Sequence, residues 1–191
     1  ALKVEGERAA QLLRVSLAHE CVHALDDARF DLAKLYRGVA DDEALRAVAM
    51  IAEEMGSVLT RGALSPNIRE RRDASCALFD AAGRMVAQAA HIPVHLGALP
   101  EAVRAVRESA PRAGDVFLLN SPWQGGSHLP DLTMIEAIAD GVGGIAGYAV
   151  VRAHHADVGG MSPGSMPQGA TELVQEGLVL PPVRLEREGA P

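Results

Sequence analysis

The sequence predicts a mixed α/β chain in which helices come first and a β-rich, glycine-rich half follows. Three observations predict it. Apolar residues recur at helical spacing through the first 60 positions. The composition then shifts near residues 60–66, and after it short apolar runs alternate with clusters of Gly and Pro. At 191 residues, 48% hydrophobic and 23% charged, the chain suits one ordinary domain or two small ones.

Residues 7–35 read as a helix, with Leu12, Leu13, Leu17, Val22 and Leu25 on a helical period and Gly38 ending the pattern. A second helix is expected over 41–60. Asp41 and Asp42 lie at its N-terminal end, and Leu45, Val48, Ile51 and Met55 form an apolar stripe. CALFDAAGRMVAQ reads as two short strands around a turn at Asp80–Gly83. A short helix is expected over 99–109, with Pro100 in its first turn and Val103 and Val106 facing inward. GDVFLLN is a buried strand, SPWQGGSHLPD a loop, and LTMIEAIA and IAGYAVVRAHH two further strands joined through Gly141–Gly144. From Asp157 the chain is mostly loop and ends in a strand-like LVLPPVRL.

Composition excludes several functions. The net charge is −7, so no basic footprint for nucleic acid is present. Two cysteines without a CxxC give neither a disulfide framework nor a Cys-rich zinc site, and Cys76 on its strand reads as a buried structural thiol. No apolar run approaches the roughly 20 residues that span a bilayer. A cytoplasmic protein without membrane contact is the expectation. The start at Ala rather than Met reads as a processed or trimmed chain.

The chemistry lies in seven histidines, five of them in two groups. His19, Glu20 and His23 form an HExxH motif on a predicted helix. Residues four apart share a face, so both imidazoles reach one Zn²⁺ while Glu20 stands beside it as general base. LAHECVHALDDARFDLAKLY, within residues 9–36, resembles the helix of zinc metallopeptidases. Glu53 or Glu54 offers a third ligand. The second group is His128 and Asp131 in a Gly-rich loop, with His154, His155 and Asp157 at a strand end. Imidazoles and carboxylates from adjacent strand ends suit Zn, Mn or Fe(II). His91 and His95 flank Pro93, which argues for an extended or turning segment there. His95 beside Gly97 is a candidate pocket residue. Trp123 reads as a residue that closes or anchors its loop, and the charged run 65–73 as an anion clamp or a solvated helix end.

SPNIRERRDASCALFDAAGRMVAQAAHIPVHLGALPEAV, GDVFLLNSPWQGGSHLPDLTMIEAI and RAHHADVGGMSPGSMP together resemble the N-terminal part of the hydantoinase B/5-oxoprolinase family, from about Ile51 to Leu185. The resemblance implies a fragment of a larger hydantoinase B-like fold. It also implies a metal-dependent subunit of an ATP-coupled hydrolase that opens cyclic amides such as hydantoins or 5-oxoproline. A hydantoinase A-like partner would use the ATP, in keeping with the lack of a GxxxxGK[ST] loop in this sequence. Carried over residue by residue, His128 and Asp131 fall on the family's HLPD motif and His154 on its RAHxxDxGG segment, as ligands of a divalent ion. Asp157 is a candidate to orient a ligand imidazole, and His155 is expected to face away from His154.

The two resemblances divide the chain into residues 1–47 and 48–191. Their meeting inside one predicted helix points to a fusion, or to a joining artefact. Incomplete parent folds would expose apolar surface and favour a homo-oligomer or a partner. Two other readings stand beside the hydrolase: a zinc metallopeptidase using His19, Glu20 and His23, and an inactive domain that only binds a partner.

Overall fold

The computed structural model describes residues 42–90 and 92–188. The HExxH residues His19, Glu20 and His23, the helix expected over 7–35, and His91 lie outside them. The described elements are α1 (Asp42–Gly62), α2 (Pro66–Arg69), β1 (Ala74–Asp80), β2 (Met85–Ala90), α3 (Pro93–Glu108), β3 (Val116–Leu119), β4 (Asp131–Ala139), β5 (Ile145–His154) and β6 (Val183–Glu186). The strands make one six-stranded sheet in the order β2-β1-β5-β4-β3-β6, and every pairing is antiparallel.

One helix covers each face of the sheet. Val48, Ile51, Met55 and Leu59 of α1 pack on Cys76 and Leu78 of β1 and on Ala87 and Ala89 of β2. Leu99, Ala102, Val103 and Val106 of α3 pack on Ala77 and Phe79 of β1 and on Ile135, Ala137, Tyr148 and Val150. Alternate residues of β1 therefore enter two cores, and both of its faces are buried. That is why ASCALF reads as one apolar run rather than as an in–out alternation. Each fully buried Leu or Val contributes about 1.5–3 kcal/mol. Cys76 is buried among these side chains.

Three details depart from the sequence reading. Leu45 is 41% exposed, so the buried stripe of α1 runs from Ala44 through Val48 to Leu59 and leaves Leu45 out. The helix expected from residue 99 begins six residues earlier. Ile92 is its extended cap and Pro93 its first residue, where the fixed φ suits a helix start and the missing N–H costs nothing. From Pro93 to His95 the chain is therefore helical, where the sequence reading expects an extended or turning segment, and Pro100 sits inside α3 rather than in its first turn. Trp123, in a 3-10 turn over Pro122–Gln124, is 74% exposed rather than buried as a loop anchor. No helix among the described residues is long and apolar enough to cross a membrane.

Candidate metal centre

The site forms at the sheet edge where β4 begins and β5 ends. Asp131 and His154 are direct cross-strand partners. Two residues inward along β5, Arg152 lies between Ser75 of β1 and Thr133 of β4. The period of two puts Asp131, Thr133, Arg152 and His154 on the face that α3 covers. His95, in the first turn of α3, reaches that face from above and meets Ser75 (Oγ to Nδ1, 2.9 Å).

The loop between β3 and β4 brings His128 in. Its route requires glycine at two points. Gly125 has φ +86°, and a Cβ there would stand 2.1 Å from the Ala102 nitrogen on α3. At Gly126 a Cβ would stand 2.1 Å from the Asn120 carbonyl oxygen. Asn120 fastens the loop's base. Its amide donates to the carbonyls of Leu129 and Leu178, each at 2.8 Å, and its Oδ1 accepts from Leu180 N–H at 2.7 Å. His155 N–H donates to Pro130 O and ties the end of β5 to the same loop.

Three imidazoles surround the Asp131 carboxylate. His128 Nδ1 is 3.0 Å from Oδ2, His154 Nδ1 is 3.2 Å from Oδ1, and His95 Nε2 is 3.3 Å from Oδ2. Ser127 Oγ also donates to Oδ2. The His128 and His154 rings stand 4.8 Å apart, tilted by 39°. Donor atoms of His128, Asp131 and His154 all lie within 4.8 Å of one another. Nitrogen and oxygen ligands at 2.0–2.2 Å from one ion sit about 2.8–3.6 Å apart in tetrahedral or octahedral arrays. The His154 Nδ1–Asp131 Oδ1 contact at 3.2 Å falls in that range, and two imidazoles with a carboxylate form a set that suits Zn, Mn or Fe(II). The residues fit a divalent ion.

Burial pushes the Asp131 carboxyl up, but hydrogen bonds from His128, His95 and Ser127 outweigh it and hold the group well below the usual carboxylate range. It is an anion at neutral pH. The His128 imidazole is raised by its bond to that anion against the opposing effect of burial. Solvent access is graded: Asp131 is sealed, the His154 side chain is 14% exposed and that of His128 38% exposed. The centre opens to water on the His128 side.

Of the remaining sequence candidates, His95 packs directly against the trio and the others lie apart from it. His95 is 1% exposed with both ring nitrogens engaged, so it lines no open pocket. Asp157 does not orient a ligand imidazole. Its carboxylate accepts from Gly159 N–H, Gly164 N–H and Ser165 Oγ, and it organises the loop after β5. His155 is largely buried, its Nε2 lacks a hydrogen-bond partner, and burial pulls its imidazole down to about 4 with the His154 charge acting in the same direction. Glu53 and Glu54 lie exposed on α1.

Sequence reasoning passed over Arg152. It is fully buried, donates from Nε to Thr133 Oγ1 at 2.7 Å and from Nη2 to Gly125 O, and so braces the His128 loop from beneath. Burial lowers its guanidinium to about 10 while Asp131 opposes that shift. A lone Arg in the otherwise apolar run YAVVRA was the available signal.

Residues 45–191 match the family model described as Hydantoinase B/oxoprolinase. The chain belongs to the hydantoinase B/oxoprolinase family. The 5-oxoprolinase of Saccharomyces cerevisiae is 43% identical over 142 residues, which is 73% of this chain and 11% of that protein. A Pseudomonas protein described as the putative B-type subunit of a D-/L-hydantoinase is 32% identical over 153 residues, covering 76% of this chain and 26% of that one. Among solved structures, the ATP-dependent caprolactamase of Pseudomonas jessenii superposes with a TM-score of 0.64 at 31% identity, over 79% of this chain and 27% of the caprolactamase chain. The present chain thus spans between about a tenth and a quarter of these relatives. All the residues of the centre, from Ser75 to His154, lie inside the segment matched by the hydantoinase B/oxoprolinase family.

Proposed function

We propose that this chain carries the divalent-metal centre of an ATP-coupled cyclic-amide hydrolase, acting on a hydantoin-like or 5-oxoproline-like ring. The observation that carries the reading is the convergence of His128, Asp131 and His154 donor atoms within 4.8 Å on the face of the sheet under α3. Relatives named as 5-oxoprolinase, hydantoinase and ATP-dependent caprolactamase support the substrate class.

His128, Asp131 and His154 would hold the ion. When bound, a Zn²⁺, Mn²⁺ or Fe²⁺ ion supplies Lewis acidity, lowering the pKa of water or polarising a carbonyl. The protein's own residues do the rest. Asp131 keeps a sealed negative charge at the base of the site. His128, the solvent-facing member, marks where a ring would enter. Arg152 and Asn120 hold the His128 loop at a fixed height over the sheet. The energy for opening an unstrained amide would come from ATP handled by a hydantoinase A-like partner. The name of the Pseudomonas hydantoinase relative, as one subunit among others, supports that division of labour.

Metal content by elemental mass spectrometry tests the reading, with His128→Ala and His19→Ala beside the wild-type chain. One equivalent in the wild type, lost in His128→Ala and retained in His19→Ala, is expected. A metal lost only in His19→Ala overturns it in favour of the HExxH segment, and no metal in any of them leaves an inactive partner-binding domain as the better reading.

A further inference from the structure

Asp131 has two oxygens in unequal surroundings. Oδ2 takes donors from Ser127 Oγ and His95 Nε2, besides its contact with His128 Nδ1. Oδ1 has the His154 Nδ1 contact at 3.2 Å. A carboxylate oxygen offers about two lone pairs, and an imidazole nitrogen that ligates an ion carries no proton. With His128 and His154 as ligands through Nδ1, those nitrogens cease to be donors to the carboxylate. The Ser127 hydroxyl and the His95 N–H then still fill Oδ2, while Oδ1 is left bare.

In the neutral imidazole of His95 the proton has one place to be. Asp131 only accepts, so Nε2 must carry the hydrogen. Nδ1 is then an acceptor, and the Ser75 hydroxyl 2.9 Å away donates to it. Ser75, His95 and Asp131 are each at most 1% exposed, so no water competes along this chain. It runs from the interior of the sheet, through the first turn of α3, to the carboxylate. A Ser–His–Asp set this deeply sealed has no access to substrate and cannot supply a nucleophile.

We propose that Ser75 and His95 are positioning residues which, with Ser127, occupy Oδ2 and present Asp131 to the ion through Oδ1 alone. The inference rests on the metal-centre reading above. Its mechanism is the general one in which partners behind a ligand fix its orientation and tune its affinity, and their removal costs about 10- to 100-fold in metal binding.

Two measurements on the full 191-residue chain test it. The first needs no metal: nitrogen-15 NMR of the histidine side chains. The His95 ring is expected as the Nε2–H tautomer, and a proton on Nδ1 overturns the proposal because the Ser75 hydroxyl would then be the acceptor. The second is Co²⁺ titration against a chelator, read by affinity and by the visible d–d spectrum, with circular dichroism as the folding control. Ser75→Ala and His95→Phe are expected to keep one equivalent of Co²⁺, bind it about 10- to 100-fold more weakly, and show an altered spectrum. His95→Gln, whose amide both donates and accepts, is expected to recover most of the affinity. Wild-type affinity and spectrum in folded Ser75→Ala and His95→Phe overturn the proposal. So does complete loss of the equivalent in folded His95→Gln, which would make His95 itself a ligand. Failure of the wild-type chain to bind Co²⁺ overturns the metal centre instead, and the tautomer still decides the Ser75–His95 arrangement.

Discussion

Asp131 and His154 face each other across β4 and β5 as direct register partners, with Oδ1 and Nδ1 3.2 Å apart. The pairing fixes their separation through the backbone ladder rather than through a flexible loop. Two of the three candidate ligands are thus placed by the sheet itself, and only His128 depends on loop geometry. This division predicts different outcomes for substitutions at the two kinds of position.

Asp131→Asn preserves shape but removes the charge that three imidazoles and a serine surround. The fold should survive, because the strand register does not depend on this side chain. Metal affinity should fall by more than the roughly 10- to 100-fold lost on removing a residue behind a ligand. Chelator competition on the folded variant checks this, and near-wild-type affinity would remove Asp131 from the ligand set.

Asn120→Ala attacks the loop instead. Three hydrogen bonds disappear, and the carbonyls of Leu129 and Leu178 and the N–H of Leu180 lose their partner. A cost of about 3 kcal/mol is expected from three modest net bonds plus stranded buried groups. Denaturant unfolding should show a lower midpoint at an unchanged slope. A loss under about 1 kcal/mol would mean that the clamp is redundant.

Much of this architecture was legible in the sequence, and the exceptions have physical causes. The strands were readable because each is a short apolar run closed by turn chemistry. At Asp80–Gly83, for example, Gly83 has φ +79° and Arg84 N–H is bonded to the Asp80 carboxylate. The start of α3 was hidden by Pro93, which reads as a breaker in a window but acts as a first-turn residue once Ile92 caps the helix. Ser75, Asn120 and Arg152 were missed because a polar residue in an apolar strand, or just past its end, shows its partners only when the neighbouring segments are in place. His128, Asp131 and His154 were nominated by their motifs, whereas the roles of His95 and Asp157 could not be separated from spacing alone. Both stand near the ligands in sequence pattern, yet one is sealed against Asp131 and the other faces solvent in a loop.

Glycine substitutions should divide sharply by position. Gly97 lies in α3, and a Cβ added there would meet nothing within 4 Å, so Gly97→Ala should stabilise the protein by about 0.5–1 kcal/mol through helix propensity. Gly125→Ala meets the Ala102 backbone and a left-handed φ together, and should cost about 3 kcal/mol or more. Paired thermal unfolding curves check both. A neutral Gly125→Ala would show that the loop can leave α3 without consequence.

The loop after β5 should respond to acid in a defined direction. Asp157 accepts hydrogen bonds from the Gly164 and Gly159 amides and the Ser165 hydroxyl, and these hold its carboxyl below the ordinary aspartate value of 3.8. A depressed folded-state pKa means that the loop's stabilisation is fully present above the ordinary value. It is lost as pH falls through the lower, folded one. The group is solvent-exposed, so the change should be local rather than global. In an NMR acid titration the Gly159 and Gly164 amide resonances should therefore move together, with a shared midpoint below 3.8, while the resonances of β1 and β5 stay fixed. Asp157→Asn keeps an accepting oxygen but no titrating charge, and should abolish that midpoint. A midpoint at or above the ordinary value, or separate midpoints for the two glycines, would show that Asp157 does not hold this loop.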